Sequence, residues 1–257
     1  MNNSYFYHRF IRKVDNFNNR RNRSSLPRQV NIHGFLLSGC KFEISTETEV
    51  YRVEEYGDEE EFTRLILKEI KAKDVIFDIG ACVGFITVHA ARKAAQVIAF
   101  EPDPRQRVRL LTNLHLNKLE NVQVVGWAVS DTPGTVTLYS DGVDGSSPSF
   151  IFPRREYEEI VVTDTIDRGL QRGELIYPDI VKMDIEGAEI LALKGMKNLL
   201  LSKKAPRKIF IEIHPDFLDA YKSSVLEVCN LIKSFGYKEI YSKIRASQLH
   251  YIYRKTS

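Results

Sequence analysis

Five short, largely apolar runs of strand length alternate with segments of helical spacing along most of this chain. The runs are VIFDI, VIAF, VQVV, IVKM and KIFIEI, which begin at Val75, Val97, Val122, Ile180 and Lys208. Strands of this kind are buried on both faces, and parallel strands need helical crossovers between them. Two further strand patterns, around 237–241 and 248–253, add a C-terminal antiparallel hairpin. The pattern predicts an α/β fold with a doubly wound, mostly parallel, seven-stranded sheet of Rossmann-like type.

Three segments of different character make up the 257 residues. We predict a basic, flexible arm over residues 1–30, a small β cap over 31–57 and the main α/β domain over 58–257. The arm carries a net charge of +6, whereas the whole chain carries +3. A basic arm can contact an anionic membrane surface, and a solvated tail is the plainer interpretation.

The cysteines and the hydropathy pattern limit the class of protein. Cys40, Cys82 and Cys229 are scattered and show no C-x-x-C spacing, which argues against a disulfide framework and against a zinc site. No apolar run approaches the roughly 20 residues that cross a bilayer. The N-terminus shows no secretory signal pattern. We therefore expect a cytoplasmic protein.

Two local patterns between the strands are also informative. A helix is predicted from Pro104, capped by Asp103, to about residue 117. Its spacing places Val108, Leu111 and Leu114 toward the core. The segment TVTLY, which follows a Pro-Gly turn, is predicted to form a hairpin with the preceding strand NVQVVGWAVS.

Glycines and acidic residues mark the ends of the first two apolar strands. Gly80 and Gly84 let the strand-to-helix turn approach a ligand closely, because a side chain there would collide with it. Asp78 can orient this turn, and Glu101 can accept hydrogen bonds from both hydroxyls of a ribose. The dinucleotide pattern G-x-G-x-x-G is absent, which disfavours a pyrophosphate ligand. The neighbouring candidates for nucleoside binding are Ala81, Cys82 and Pro102.

The form D-x-G-x-x-x-G, followed by a Glu at the end of the next strand, resembles the class I methyltransferases. Six segments narrow the resemblance to the FkbM family: DIGACVGFIT, FEPDP, WAVSDTPGTVTLY, TIDRG, VKMDIEGAEILALKG and FIEIHP. The resemblance implies S-adenosylmethionine as cofactor, with its amino-acid end near Asp78 and Gly80 and its ribose on Glu101. It implies that the adenine is bordered by Trp127, Ala128 and Val129. It also implies methyl transfer to a hydroxyl oxygen of a sugar, glycolipid or natural product.

Methylation of a hydroxyl requires alignment of the oxygen and removal of its proton. The segments MDIEGAE and IEIHP end two strands, and the candidate catalytic residues in them are Asp184, Glu186, Glu212 and His214. His214 suits a general base near neutral pH, and Asp184 is the alternative base or orients the histidine. Asp184, Glu212 and His214 could also hold a divalent cation, which we do not expect because no tight ligand spacing demands it.

Plainer interpretations remain for the same residues. Asp184 can cap the helix that follows it, and Glu186 and Glu189 can interact favourably with the positive end of that helix. His214 can be a turn residue before Pro215. The acceptor is expected to be a small molecule or a glycan bound by the segments 31–46, 141–155 and 216–223.

Two rival functions fit parts of the pattern. The segment LTNLHLNKLENVQVV resembles transfer RNA methyltransferases. Nucleic acid is nevertheless not the expected partner, because the strand end reads MDIEG rather than the N-P-P-Y type and the body of the chain is mildly acidic. The second rival is a methyltransferase-fold module that binds a partner without catalysis.

Overall fold

The computed structural model describes residues 26–32, 39–55, 59–140, 157–245 and 248–256. The predicted arm, apart from residues 26–30, lies outside these ranges, as does the whole predicted acceptor loop 141–155. The strands are β1 (Arg28–Ile32), β2 (Cys40–Ile44), β3 (Val75–Ile79), β4 (Gln96–Phe100), β5 (Val122–Val125), β6 (Ala128–Val129), β7 (Gly134–Ser140), β8 (Tyr157–Asp164), β9 (Ile180–Met183), β10 (Lys208–Ile213), β11 (Tyr237–Arg245) and β12 (Gln248–Lys255).

A seven-stranded sheet forms the centre of the molecule, in the order β11-β12-β10-β9-β3-β4-β5. The neighbours from β10 to β5 run parallel to one another. At the β10 edge, β12 and β11 add two antiparallel strands. The predicted fold class, including the C-terminal hairpin, is confirmed.

Helices cover both faces of this sheet. They are α1 (Glu47–Val50), α2 (Glu60–Glu69), α3 (Phe85–Ala91), α4 (Pro104–Leu116), α5 (Ile166–Gln171), α6 (Glu189–Gly195), α7 (Lys197–Leu201), α8 (Pro215–Leu218) and α9 (Val225–Ser234). Ile76 and Val97 pack in one buried cluster with α2, α3 and α4. Phe77 and Ile98, the next residues along their strands, pack in a second cluster with α6 and α9. Among the described residues, none of these helices has the length and apolarity to cross a membrane.

A small N-terminal unit lies against the helix α4. Strands β1 and β2 pair antiparallel in a sheet of their own, and α1 and a π-helical turn, Tyr51–Glu55, follow them. Arg109 of α4 contacts Glu43 Oε1 at 2.6 Å and Glu49 Oε1 at 2.7 Å. We call residues 28–55 the cap. Its exact limits as a domain stay a prediction.

One stripe of α4 carries the side chains that hold the cap. Arg109, Asn113 and Asn117 are four residues apart and therefore share a helix face. Asn113 Oδ1 accepts from the backbone N–H of Glu43, and Asn117 Oδ1 accepts from that of Lys41, each at 2.9 Å. The asparagines in the sequence LTNLHLN therefore fasten two parts of the same chain together.

This attachment explains why the predicted core face of α4 was partly wrong. Leu114 is buried as predicted, but Val108 and Leu111 are 62% and 52% exposed. The buried face instead includes the polar residues Gln106 and Asn113. A buried amide is tolerated where its hydrogen-bond partners are present, and here Asn113 also donates to the carbonyl of Val83.

The predicted hairpin between TVTLY and the preceding strand is also wrong. TVTLY lies in β7, which pairs antiparallel with β8 over seven residue pairs from Gly134 to Ser140. Together with β6 these strands form a separate three-stranded sheet in the order β6-β8-β7. The partner strand β8 comes after TVTLY in the chain rather than before it, and its apolar Val161 packs with Ala128 and Leu138. A local turn signal cannot identify such a partner.

Candidate functional site

A cavity of about 360 Å³ opens at the carboxyl ends of the parallel strands. Its walls come from the turns after β3, β4, β9 and β10, from β6, and from α1, the π-helical turn and α2. Open α/β sheets bind ligands at this edge, where the strand order reverses. In this sheet the reversal lies at β3, which has β4 on one side and β9 on the other.

The turn after β3 is held close to the turn after β9. Gly80 has φ +82°, and a Cβ atom there would lie 1.8 Å from the carbonyl oxygen of Asp184. Gly84 has φ +87°, and its Cβ would lie 2.4 Å from Leu110 Cδ1 on α4. The packing of the protein itself therefore disfavours a side chain at both glycines, most severely at Gly80, where the obstructing atom belongs to the backbone. Gly80 lines the cavity and Gly84 does not.

Asp78 and Lys182 form a buried ion pair beneath this turn. Asp78 does not line the cavity; its Oδ2 accepts from Thr87 Oγ1 at 2.6 Å, and its Oδ1 lies 3.1 Å from Lys182 Nζ. Lys182 Nζ also donates to the Gly80 carbonyl at 2.8 Å. Burial would lower the pKa of Lys182, but the carboxylates of Asp78 and Asp184 outweigh it and raise that pKa. Sequence reasoning missed Lys182, although a lysine inside an apolar central strand must have a partner.

Glu101 is buried at the wall of the cavity. Its Oε2 accepts from the Cys82 N–H at 2.7 Å and its Oε1 from the Asp103 N–H at 2.9 Å. Burial raises the pKa of Glu101 to about 7, and the two N–H donors limit that rise. Each carboxylate oxygen keeps a further lone pair, so the group fits a ligand with two adjacent hydroxyls.

Most of the other predicted cofactor residues also line this cavity. They are Ala81, Cys82, Pro102, Ala128 and Val129. Trp127 lies outside the lining and packs edge-on against Phe100, with ring centroids 5.1 Å apart. The wall that combines Glu101 with small and apolar residues fits an adenosine moiety, which presents a diol at one end and an apolar base at the other.

All four predicted catalytic residues meet in one part of the cavity wall. His214 Nε2 lies 3.5 Å from Glu186 Oε2, 3.6 Å from Asp184 Oδ1 and 3.8 Å from Glu212 Oε1. Each of the four lines the cavity. Burial and the nearby charge of Glu212 raise the pKa of Asp184. The convergence expected from adjacent strand ends is therefore present.

Glu189 contacts the His214 imidazole at its Nδ1 atom. His214 Nδ1 lies 2.9 Å from Glu189 Oε1, which also accepts from the Gly187 N–H at 3.0 Å. Burial would lower the pKa of His214, but Glu189 and the charges of Asp184 and Glu186 raise it to about 10. The sequence suggested only a helix N-terminal role for Glu189, since nothing local indicates that His214 lies against it.

Glu212 is anchored by two residues that sequence reasoning missed. Its Oε2 lies 3.1 Å from His250 Nε2, and its Oε1 lies 3.4 Å from Arg245 Nη1. His250 is the direct cross-strand partner of Glu212 and stacks on Phe62 with centroids 4.2 Å apart. Burial would raise the pKa of Glu212, but His250, His214 and Arg245 lower it. Both missed residues belong to the C-terminal hairpin, whose register no local pattern specifies.

A metal ion was an alternative interpretation of the same cluster. Asp184, Glu212 and His214 each offer a donor atom, and the three atoms lie within 4.8 Å of one another. Two carboxylates and an imidazole are an acceptable donor set for a divalent cation. Lys182 and Arg245 already contribute positive charge beside these carboxylates.

Comparison with known proteins supplies the family. The model of the methyltransferase FkbM domain matches residues 78–239, which include the turn after β3, Glu101 and the acid–histidine cluster. The chain belongs to the FkbM methyltransferase family. It is therefore a methyltransferase that uses S-adenosylmethionine, as the resemblance implied. The cavity wall around Glu101 combines a carboxylate with small and apolar side chains, and it fits the adenosine part of that cofactor.

Two characterised relatives and one solved structure are similar over most of this family member. Hexuronic acid methyltransferase AglP of Haloferax volcanii is 30% identical over 188 residues, which are 68% of this chain and 70% of that protein. The 2-O-methyltransferase NoeI of Sinorhizobium fredii is 27% identical over 186 residues, 64% of this chain and 73% of that protein. The crystal structure of methyltransferase FkbM from Methylobacillus flagellatus has a TM-score of 0.54 at 20% identity. It covers 74% of this chain, which spans about half of that protein (47%), and it shows the shared fold.

Proposed function

We propose that this FkbM family member methylates a hydroxyl oxygen of a sugar or glycan acceptor in the cytoplasm. The observation that carries the proposal is the shared cavity: Glu101 lies at one part of it and the cluster around His214 at another. The names of the relatives support the acceptor class, because one is a hexuronic acid methyltransferase and the other a 2-O-methyltransferase. The three cysteines, all in the described part of the chain, are free thiols, which is typical of a reducing compartment.

In this proposal, one set of residues binds the cofactor and another set acts on the acceptor hydroxyl. S-adenosylmethionine, when bound, supplies a methyl group activated by a positively charged sulfonium. Glu101 accepts hydrogen bonds from the ribose, and Ala128 and Val129 pack against the base. Glu189 fixes the His214 ring so that Nε2 faces the cavity, where it takes the proton of the acceptor hydroxyl. Asp184 aligns that hydroxyl from the neighbouring strand end.

No metal ion is part of the proposal. The carboxylates of the cluster have cationic partners within the protein, namely Lys182 and Arg245. We expect methyl transfer to persist after dialysis against a strong chelator. Loss of activity that Mg²⁺ or Mn²⁺ restores would instead assign a cation to Asp184, Glu212 and His214.

Two polar side chains of the segment that resembles transfer RNA methyltransferases have a structural role. Asn113 and Asn117 bind the backbone of the cap. Within the described part of the chain, these two side chains therefore have a structural role.

Labelling with a radioactive methyl donor tests the acceptor class. The protein is incubated with methyl-labelled S-adenosylmethionine and, separately, with hexuronic acids and other sugars, cell-envelope glycans, lipids and RNA. We expect label in the carbohydrate fractions, in an ether that survives alkaline hydrolysis. Label confined to RNA would contradict the proposal. Binding of the cofactor without transfer to any fraction would favour the non-catalytic module.

We predict that Glu101→Gln weakens binding of S-adenosylhomocysteine. The amide keeps the size of the side chain but removes the charge that strengthens two hydrogen bonds to the ribose, so Kd is expected to rise about 10- to 100-fold. Because the pKa of Glu101 is raised to about 7, wild-type affinity is expected to fall as the pH drops below 7, and the variant is expected to lack this dependence. Calorimetry measures both effects. The exposed Glu120→Gln is the control, and an unchanged Kd in Glu101→Gln would place the ribose elsewhere.

A further inference from the structure

The cap places an arginine inside the cavity. The π-helical turn Tyr51–Glu55 presents Tyr51 and Arg52 to the cavity, whereas Val53 and Glu54 of the same turn are buried in the protein. Arg52 Nη1 contacts Cys82 Sγ at 2.7 Å. A residue of the cap therefore touches the turn after β3, where the amino-acid end of the cofactor is expected. Widened helical turns of this type recur at functional sites.

Arg52 is within electrostatic reach of carboxylates from both parts of the proposed site. The carboxylates that act on its guanidinium are Glu101 on the ribose side and Asp184 and Glu186 on the methyl-transfer side. The sulfur of the cofactor joins the ribose arm, the methyl group and the methionine arm. A cation that lines the cavity, contacts the turn after β3 and acts on both Glu101 and Asp184 is therefore expected beside the methionine arm.

The methionine arm ends in a carboxylate, which needs a cationic partner in a cavity walled by so many acidic side chains. Two other cations of the cavity wall are held by the protein. Lys182 donates to the Gly80 carbonyl and pairs with Asp78. Arg245 pairs with Glu59 at 2.8 Å and donates to Gln248 at 2.6 Å. Both groups line the cavity as well, but of the described cations in its wall Arg52 is the one that combines a guanidinium with a contact to the turn after β3.

We propose that Arg52 binds the α-carboxylate of the methionine arm of S-adenosylmethionine. A planar guanidinium matches a carboxylate with two parallel hydrogen bonds, which an ammonium group cannot do. The cap contributes this group because Glu49, three residues before Arg52, is tied to α4 through Arg109. Arg52 is thus a cofactor-binding residue supplied by the cap. This inference rests on the proposed function only for the identity of the cofactor.

Ligands with and without the carboxylate test the assignment. Calorimetry compares S-adenosylhomocysteine with its decarboxylated analogue and with 5′-methylthioadenosine, which lacks the amino-acid group. In Arg52→Met, the Kd of S-adenosylhomocysteine is expected to rise about 10- to 100-fold, while those of the other two ligands stay within about twofold. Arg52→Lys is expected to recover part of the affinity. Arg168→Met is the matched control, because Arg168 is a half-exposed surface residue paired with Asp164.

Three outcomes would overturn the assignment. Equal weakening of all three ligands would mean that Arg52 acts through the shape of the turn after β3. An unchanged Kd for S-adenosylhomocysteine would exclude the contact, and a raised KM for the acceptor alone would assign Arg52 to the acceptor. Failure of the wild-type protein to bind S-adenosylhomocysteine would contradict the proposed cofactor site as a whole, which separates that failure from the failure of Arg52 alone.

Discussion

His214→Gln is expected to lower kcat by about 10²- to 10⁴-fold, because a positioned general base contributes that much to proton transfer. The Kd of S-adenosylhomocysteine is expected to change by less than about threefold, since the glutamine amide can still donate to Glu189 and the cofactor wall is untouched. Single-turnover transfer and calorimetry measure the two quantities. Phe217→Leu, next to the ring but without acid–base chemistry, is the control. An unchanged kcat would show that Asp184 removes the proton or that no base is needed.

The pH dependence of kcat/KM distinguishes a general base from a residue with only a packing role. Because the pKa of His214 is raised to about 10, kcat/KM is expected to increase with pH toward that value as the imidazolium loses its proton. Glu189→Gln removes a charge that favours the imidazolium, so this increase in kcat/KM is expected to occur at lower pH. The raised pKa also means that the stabilisation from charged His214 is complete below its ordinary value of 6.5 and disappears as the pH rises through 10. If kcat/KM rises at the same pH in Glu189→Gln as in the wild type, the assignment of His214 as the base is contradicted.

The sequence was sufficient to predict the sheet, because the pattern that identifies a buried strand is local. A strand buried on both faces shows a largely apolar run, and the residues that follow it must lie at its carboxyl end. This logic places Asp184 and His214 at the same edge of the sheet, and they meet there because β9 and β10 are neighbours. The same logic failed for α4, where Val108 and Leu111 are exposed. There the partners of the polar face come from the cap, 60 to 76 residues away in sequence, and the periodicity of the helix gives no information about them.

The missed site residues have a common cause. Lys182, Glu189, Arg245 and Arg52 each act through a partner on another element, and the pairing depends on tertiary register. Only Lys182 left a usable signal, because a cation inside an apolar strand is costly unless it is paired. The reason for Gly80 was also inaccessible from the sequence, since the atom that excludes its side chain belongs to Asp184, about a hundred residues later.

Gly80→Ala is expected to reduce the free energy of unfolding by more than about 4 kcal/mol, at the upper end of single substitutions. The new Cβ would lie 1.8 Å from the Asp184 carbonyl oxygen, and backbone at this depth cannot move aside without displacing β9. Gly173→Ala is the matched control: its φ is +72°, but no atom lies within 4 Å of the added Cβ. It is expected to cost only about 1–2 kcal/mol, the penalty of the left-handed backbone. Urea denaturation followed by circular dichroism measures both.

The comparison of these two variants isolates the contact between the turns from the backbone conformation that they share. If Gly80→Ala remains folded, the turn after β3 must have moved away from Asp184, so that the Gly80 carbonyl leaves Lys182 Nζ. Binding of S-adenosylhomocysteine is then expected to fall below detection, because the Cys82 N–H and Glu101 change their separation together with that turn. Gly173 is not part of the cavity lining, and Gly173→Ala is expected to bind like the wild type. Equal stability losses in the two variants would mean that the close approach of Gly80 to Asp184 does not hold the site together.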